Sequence, residues 1–476
     1  MTPDGLDQNF YFGGGATESS VTFVALILLL LGLLLMFFLP RKRILLPFFL
    51  IGFLIPNSQV VVIPGAHLAV YRILLLAIWV RIFVSTKLTR RDPFEIQMNA
   101  LDKVFLAWSI CNAIMYTLLW REVGALVNRL GFLSISLGTY FMLRYVIRDR
   151  EDIVYAIRSL AVTAIPISLA MCFEHFKDMN AISLVLGEGQ RFADVRNGSV
   201  RAQGPFAHAI IAGTFGAILV PLFVALWQEG KGNRFLAATG ILSSTLITIT
   251  SASSTPVMTY AAGMGGLCFW PLRKSMRAVR WATVFLLILV QLFMKAPIWF
   301  LINRVGSLTG GTSWHRSELI DQFVRRFSEW CLIGTQNNAK WGLDMWDAIN
   351  AYVKAGVEGG LLTFVLFLSI LVVAYKCIGR ARGIAEEKNS RNEFFIWMLG
   401  VALFSNTVAF LGIIYFDQSV VAWYFLLAVI SVASGLSIQK EQAAISNAHQ
   451  PISWRRSSLV SNGKESMTKR HKIQPG

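Results

Sequence analysis

The chain has 476 residues, of which 55% are hydrophobic and only 15% charged, with a mean hydropathy of +0.56. Soluble domains carry about 25% charged residues, so this composition excludes a disordered chain, a collagen-like chain and an ordinary cytosolic enzyme. The net charge of +17 raises nucleic acid as a partner. However, Lys and Arg fall in short clusters between long apolar runs, the pattern of a polytopic membrane protein and not of a nucleic-acid groove.

A hydrocarbon core of ~30 Å takes roughly 20 apolar residues per helix. In chain order, apolar runs occupy 20–39, 44–56, 66–84, 102–119, 123–143, 153–173, 206–227, 235–250, 256–271, 281–301, 348–375, 394–413 and 418–437. They predict an all-α fold, a polytopic transmembrane helical bundle of about 12–13 spans filling 1–437. The second run is short and ends at Pro56-Asn57, so it is either a span or a re-entrant segment. The first is too long for a signal-peptide core and is preceded by Asp4, Asp7 and Glu18 instead of a basic segment, so it reads as a span. The Ser-, Asn- and Lys-rich stretch 438–476 reads as a basic, disordered cytoplasmic tail. The five cysteines are odd in number and form no C-x-x-C, so neither a disulfide framework nor a metal knuckle is supported.

Charge sets the orientation. Arg41-Lys42-Arg43, Lys87/Arg90/Arg91, Arg144/Arg148/Arg150, Lys231/Arg234, Arg273/Lys274/Arg277/Arg280 and Lys376/Arg380/Arg382/Lys388/Arg391 occupy alternate loops, while the intervening short loops are nearly free of cations. The positive-inside rule then places the C-terminus in the cytoplasm and the N-terminus outside. Two loops, 174–205 and 302–347, are too long to be connectors and both fall outside.

Cations on the outer side run against that rule. The first long loop carries Arg191, Arg196 and Arg201, and the second carries Arg304, Arg316, Arg325, Arg326 and Lys340. Arg72, Arg129, Lys295 and Lys354 lie within or beside apolar runs toward their outer ends. A cation inside a span costs at least ~2.5–3.5 kcal/mol on insertion scales and marks a functional position by default. Brought together, these residues form a positive pocket suited to a lipid-linked phosphate or diphosphate, because arginine offers a rigid fork of donors. The structural alternative is that they snorkel to headgroups or pair with Asp194, Glu318 and Glu329.

Asp347, Asn350, Lys354 and Glu358 follow i, i+3, i+7, i+11, which places all four on one narrow helical face. They are substrate-site candidates, or else a salt-bridge stripe. Gly359-Gly360 lets another backbone approach. From Ser313 to Trp330, Trp314, Ile320, Phe323, Phe327 and Trp330 alternate with charged residues in an amphipathic helix expected at the outer interface. His208 and His315 are candidates for a general base, or else ordinary hydrogen-bonded histidines. There is no H-E-x-x-H, P-loop or G-x-S-x-G to support zinc, ATP or serine-hydrolase chemistry.

Four stretches carry a resemblance: Arg201-Ala-Gln-Gly-Pro-Phe-Ala-His208, Thr250-Ser-Ala-Ser-Ser-Thr255, His315-Arg316 with Trp330 and Gly334, and 349–362, which reads Ile-Asn-Ala-Tyr-Val-Lys-Ala-Gly-Val-Glu-Gly-Gly-Leu-Leu. In their order and spacing, and in the long loop before the last cluster of spans, the chain resembles the O-antigen ligase and O-antigen polymerase family. The resemblance implies an inner-membrane glycosyltransferase. Such an enzyme transfers glycan from an undecaprenyl-diphosphate carrier to a sugar hydroxyl at the periplasmic face, without metal or other cofactor, among membrane lipids and other polysaccharide export proteins. It places Arg201 and Arg316 at the family's diphosphate-holding loop arginines. The family's ligases carry a histidine where this chain has Ile349, and a Ser-Arg where it has Ser253-Ser254. Those departures favour a polymerase over a ligase and leave the base open among Asp347, Glu358 and His315. The competing readings are a polysaccharide or lipid-linked-glycan transporter or flippase, which requires paired broken helices in two repeats, and a non-catalytic envelope scaffold.

Overall fold

The computed structural model describes residues 19–63, 66–89, 97–187, 192–196, 198–303, 313–386 and 390–449. Each of the thirteen apolar runs carries a helix. These are α1 (Phe23–Phe38), α2 (Leu45–Leu54), α3 (Val70–Thr89), α4 (Ala100–Trp120), α5 (Val123–Val146), α6 (Arg150–Lys177), α8 (Ala209–Gln228), α9 (Arg234–Thr250), α10 (Ser254–Cys268), α11 (Met276–Phe293), α14 (Ala351–Glu386), α15 (Ser390–Ala409) and α16 (Val420–His449). Shorter helices α7 (Ala181–Leu186), α12 (Ser313–Arg325) and α13 (Phe327–Trp330) lie in the two long loops. The only regular strands among the described residues form two antiparallel hairpins, β1 (Val60–Ile63) with β2 (Ala66–Ala69) and β3 (Asp194–Arg196) with β4 (Ser199–Arg201). The protein is an all-α polytopic helical bundle. Seven helical segments, those at 100–120, 123–146, 150–177, 209–228, 270–293, 351–385 and 420–439, are each long and apolar enough to cross a membrane. The other six helices are shorter or more polar.

Local sequence sets the helix starts. Asn99 and Asp102 close a capping box on α4, and Asp149 caps α6 with Glu151 and Asp152 in its first turn, where carboxylates meet the positive end of the helix. Small residues set the closest packing. A Cβ on Gly216 would meet the Ser244 carbonyl oxygen at 2.7 Å, so α8 and α9 touch backbone to backbone. α8, flanked by α9, α10 and α15, is almost wholly buried.

The basic loops gather at one end. There Arg41 pairs with Asp152 (2.8 Å), Arg144 with Asp102 (3.0 Å), Arg150 with Glu229 (2.6 Å) and Arg273 with Glu393 (3.1 Å). The long loops occupy the other end. The run 44–56 does not turn back. It starts beside the Arg41–Asp152 pair and ends at the loop end, where Val60 bridges to Ser20 and Gln59 accepts from the Thr22 amide at 2.8 Å. α16 continues past 437 to His449 because Lys440-Glu441-Gln442-Ala443-Ala444 are good helix formers. The rest of the expected tail, 450–476, lies outside the described residues.

α14 is broken. Gly360 has φ +72° and ψ −171°, and the backbone of 331–335 seats in the gap. The Leu361 amide donates to the Cys331 carbonyl at 2.8 Å, and the Thr335 amide donates to Val357 at 2.8 Å. A Cβ at Gly360 would collide with the Leu332 carbonyl, which is the backbone approach expected from Gly359-Gly360.

Candidate functional site

Three clusters meet at the loop end. The first surrounds the turn between α9 and α10, where Ala252 is left-handed (φ +41°). Arg201, at the end of β4, is 8% exposed. It donates from Nη1 to Asp194 at 2.7 Å and from Nη2 to Ser253 Oγ at 3.1 Å. Arg316, on α12, is 4% exposed and donates from Nη1 to Ser254 Oγ at 3.3 Å. Adjacent serines thus hold the two arginines. Among the described residues no carboxylate pairs with Arg316, and its Nε has no hydrogen-bond partner. Burial, and after it the nearby Arg196 guanidinium, lower the Arg316 pKa, yet arginine stays a cation at neutral pH. Two like charges therefore converge on a buried site, which an anion would relieve.

The loop from Ala202 to His208 is pinned on every side. The Ala202 amide donates to the Thr250 carbonyl (3.0 Å), Glu174 accepts from the Gly204 amide (2.7 Å), Asn180 donates to the Gly204 carbonyl (2.9 Å), and Gln418 donates to the Pro205 carbonyl (2.8 Å). Asp417, its pKa raised by burial, accepts from the Ala207 amide at 3.1 Å. Gly412 in the loop between α15 and α16 packs on Arg316, and a Cβ there would meet Thr255 Oγ1 at 2.8 Å and Arg316 Nε at 3.1 Å.

The second cluster lines a cavity of about 320 Å³ walled by residues of α3, α4, α5, α14 and α16. Arg72, Arg129, Lys354 and Glu358 face it among aromatic side chains. Arg129 donates to Asn112 (2.8 Å) and Glu358 (3.3 Å) and lies 3.5 Å over the Tyr116 ring. Lys354 pairs with the other Glu358 oxygen at 3.5 Å. Arg72 donates to the His67 carbonyl at 3.0 Å and forms no ion pair among the described residues.

The third cluster lines an adjoining cavity of about 200 Å³ that shares Lys354, Glu358 and Ile414 with the second. Asp347 stands at its side. Loss of hydration raises the Asp347 pKa, opposed by His315, Lys354 and His208, with Asp344 adding to the rise. Ile414, two residues beyond Gly412, ties this cavity to the arginine cluster.

The sequence-derived candidates thus divide. Arg196, Arg201 and Arg316 come together, as do Arg72, Arg129, Lys354 and Glu358, and Asp347, His208 and His315 gather between them. Arg191 and Arg304 lie outside the described residues. Asn350 leaves the expected face because the helix begins only at Ala351. Its Oδ1 caps that helix by accepting from Tyr352 (2.9 Å) and Val353 (3.2 Å), and its Nδ2 donates to the Leu411 carbonyl (3.1 Å). His315 is engaged with the Asp344 carbonyl at 2.8 Å. Arg201 pairs with Asp194 and Arg326 with Glu329, as the structural alternative had it; Arg325 pairs with Asp321, and Lys295 and Lys340 are exposed. The amphipathic segment is realised as α12 and α13, but its Phe323 and Trp330 stack at 3.9 Å and pack on Gly356 of α14. The sequence reading did not anticipate Ser253 and Ser254 as arginine partners, nor Glu174 and Asp417 as anchors of the Arg201 loop. An acid directly after the 153–173 run was the available signal for Glu174.

Among the described residues no group of three or more His, Cys, Asp or Glu converges on one point. No protein-family model matches the chain, and no curated protein matches it.

Proposed function

We propose that the protein transfers glycan from an undecaprenyl-diphosphate carrier to a sugar hydroxyl at the membrane face carrying the two long loops, in the manner of O-antigen polymerases and ligases. The observation that carries this reading is the buried guanidinium of Arg316, lacking a carboxylate and set beside Arg196 and Arg201. Diphosphate is already a good leaving group, so such a reaction needs charge stabilisation more than acid assistance. The acceptor oxygen bonds to the anomeric carbon as the bond from that carbon to the diphosphate oxygen breaks. The diphosphate departs with the electron pair toward the arginines, and the hydroxyl proton passes to Asp347, whose raised pKa suits a base.

Purified full chain in lipid nanodiscs, given an undecaprenyl-diphosphate-linked repeat unit, is expected to release undecaprenyl diphosphate and lengthen the glycan. Arg201→Ala and Arg316→Ala insert normally but do neither. Transfer at the wild-type rate in both variants would remove the arginines from the reaction. The break in α14 favours a second reading, a lipid-linked-glycan flippase, since transporters use discontinuous helices. Movement of intact donor between leaflets without transfer would select it. For orientation, a cysteine replacing Phe192 or Lys340 in a cysteine-free chain should label from outside the cell. One replacing Lys376 should label only after permeabilisation, and the reverse pattern would overturn the assigned face.

A further inference from the structure

The cavity of about 200 Å³ beside Asp347 differs in chemistry from the arginine cluster. Its walls include Trp120 and Trp346, with Gln336, Asn338 and Asp347 between them. Trp346 is 69% exposed, a large apolar ring left open at the cavity wall. Its backbone is nevertheless held. Met345 before it is fully buried, Asn338 Nδ2 donates to the carbonyls of Met345 (2.8 Å) and Trp346 (3.2 Å), and His315 holds the Asp344 carbonyl at 2.8 Å. Gln336 Nε2 donates to the Leu119 carbonyl at 2.7 Å. With both amide NH₂ groups facing backbone carbonyls, the amide oxygens of Gln336 and Asn338 remain as acceptors. The Asp347 carboxylate forms no side-chain hydrogen bond or ion pair among the described residues, so it is a further acceptor.

An open aromatic ring on a held backbone, next to several acceptors and a carboxylate, fits a ligand with one apolar ring face and many hydroxyl donors on its edge. We infer that this cavity is the acceptor-sugar subsite and takes a neutral pyranose, stacked on Trp346 with Trp120 opposite and hydroxyls donated to Gln336, Asn338 and Asp347. The assignment rests on the transfer reading above and adds the acceptor's class. Uronic acids and phosphorylated sugars are disfavoured, because the cavity wall already carries two carboxylates, Asp347 and Glu358, against the single ammonium of Lys354. Glu358, which also lines the cavity, is already paired with Lys354 and Arg129. The arrangement places an acceptor hydroxyl on the base while the donor diphosphate is held across the 410–419 loop by Arg316.

The test uses the full chain in nanodiscs on an array of immobilised neutral hexose and N-acetylhexosamine oligosaccharides and of uronate-containing ones. Wild type is expected to retain neutral members and not uronates. Trp346→Ala, at an exposed position that leaves the fold intact, should weaken retention by about 10-fold or more, the scale of one aromatic stacking contact. Trp346→Phe should retain most of it, Asp347→Asn should admit uronates, and Arg316→Ala should bind the array like wild type. No retention of neutral glycans, equal retention of uronates by wild type, or unchanged binding by Trp346→Ala would overturn the subsite. So would a loss in Arg316→Ala as large as that in Trp346→Ala. Undecaprenyl diphosphate binding is measured separately on the same proteins. If Arg316→Ala binds it as tightly as wild type, the transfer reading fails, whatever the array shows.

Discussion

The two ends of the bundle use arginine in opposite ways. At the basic end the guanidinium of Arg144 meets Asp102 through two bonds of 3.0 Å, and Tyr140 (2.5 Å) and Ser431 (2.8 Å) complete the carboxylate's coordination. Every lone pair there has a partner from within the chain, so the network fastens α4, α5 and α16 and has no capacity left for a ligand. At the loop end Arg316 is at least as deeply buried, yet among the described residues it has the Ser254 hydroxyl, Arg196 nearby and no carboxylate. Burial alone therefore does not mark function in this protein. On the proposed reading, what marks it is burial with the charge left unneutralised, because such a charge costs folding free energy that an incoming anion would return.

Mutations at the two ends should consequently diverge in sign. The largest effect is expected from Arg144→Ala, which strands the Asp102 carboxylate in the interior. Breaking a buried pair costs about 3–5 kcal/mol, to be read as a lower midpoint in thermal or denaturant unfolding, with turnover per folded molecule unchanged. A stability equal to wild type would erase the contrast. Next is Arg316→Met, which replaces an unpaired buried cation with an apolar side chain of similar length. Transfer should fall by about 10²–10³-fold, as when a charge-stabilising donor is removed, while stability holds or rises. Arg316→Lys should rescue poorly, since a point charge does not reproduce a bidentate fork. A large loss of stability in Arg316→Met would mean that Arg316 fastens the structure as Arg144 does.

Asp347→Asn should lower turnover by about 10²-fold, the lower range for loss of a general base, and leave undecaprenyl diphosphate binding intact. The smallest effect expected concerns pH. Because the folded-state pKa of Asp347 is raised above the ordinary 3.8, the acid limb of the activity profile should lie above that value and vanish in Asp347→Asn. The same shift means the folded state binds this proton more tightly than the unfolded chain does. Its contribution to stability is thus present at low pH and lost as pH rises through the folded pKa. Asp347→Asn should therefore be no less stable than wild type at neutral pH, and a marked drop in its unfolding midpoint would show that the carboxylate has a structural partner instead.

The bundle was legible in the sequence because span length and loop charge are local properties of composition. The thirteen runs and the gathering of Arg41, Arg144, Arg150 and Arg273 at one end needed no knowledge of tertiary contacts. Arg201 and Arg316 stood out for the same reason, as cations where the loop-charge rule disfavours them. Their shared hold on Ser253 and Ser254 was not legible, since it depends on β4, α12 and the α9–α10 turn meeting across more than a hundred residues of chain. Periodicity misplaced Asn350 by extending helical geometry four residues too early, whereas the chain spends that residue on a cap. Trp346 gave no signal because exposed tryptophans in loops are unremarkable until a cavity is seen beside them.

The break in α14 also bears on how the protein is made. In hydrocarbon an unpaired backbone group costs several kcal/mol, and among the described residues the gap at Gly360 finds its partners in Cys331 and Thr335 of the preceding loop. A nascent α14 entering the bilayer alone would carry that defect until the loop folds down and seals it. Such a chain would assemble in order, with insertion of the helix first and docking of 331–335 afterwards. A chain that fails at the second step is left with an open backbone seam that membrane quality control could recognise. Because α12 and α13 pack on the same helix at Gly356, sealing the seam would also bring in Arg316, so that on the proposed reading the anion site would be completed only as the chain matures.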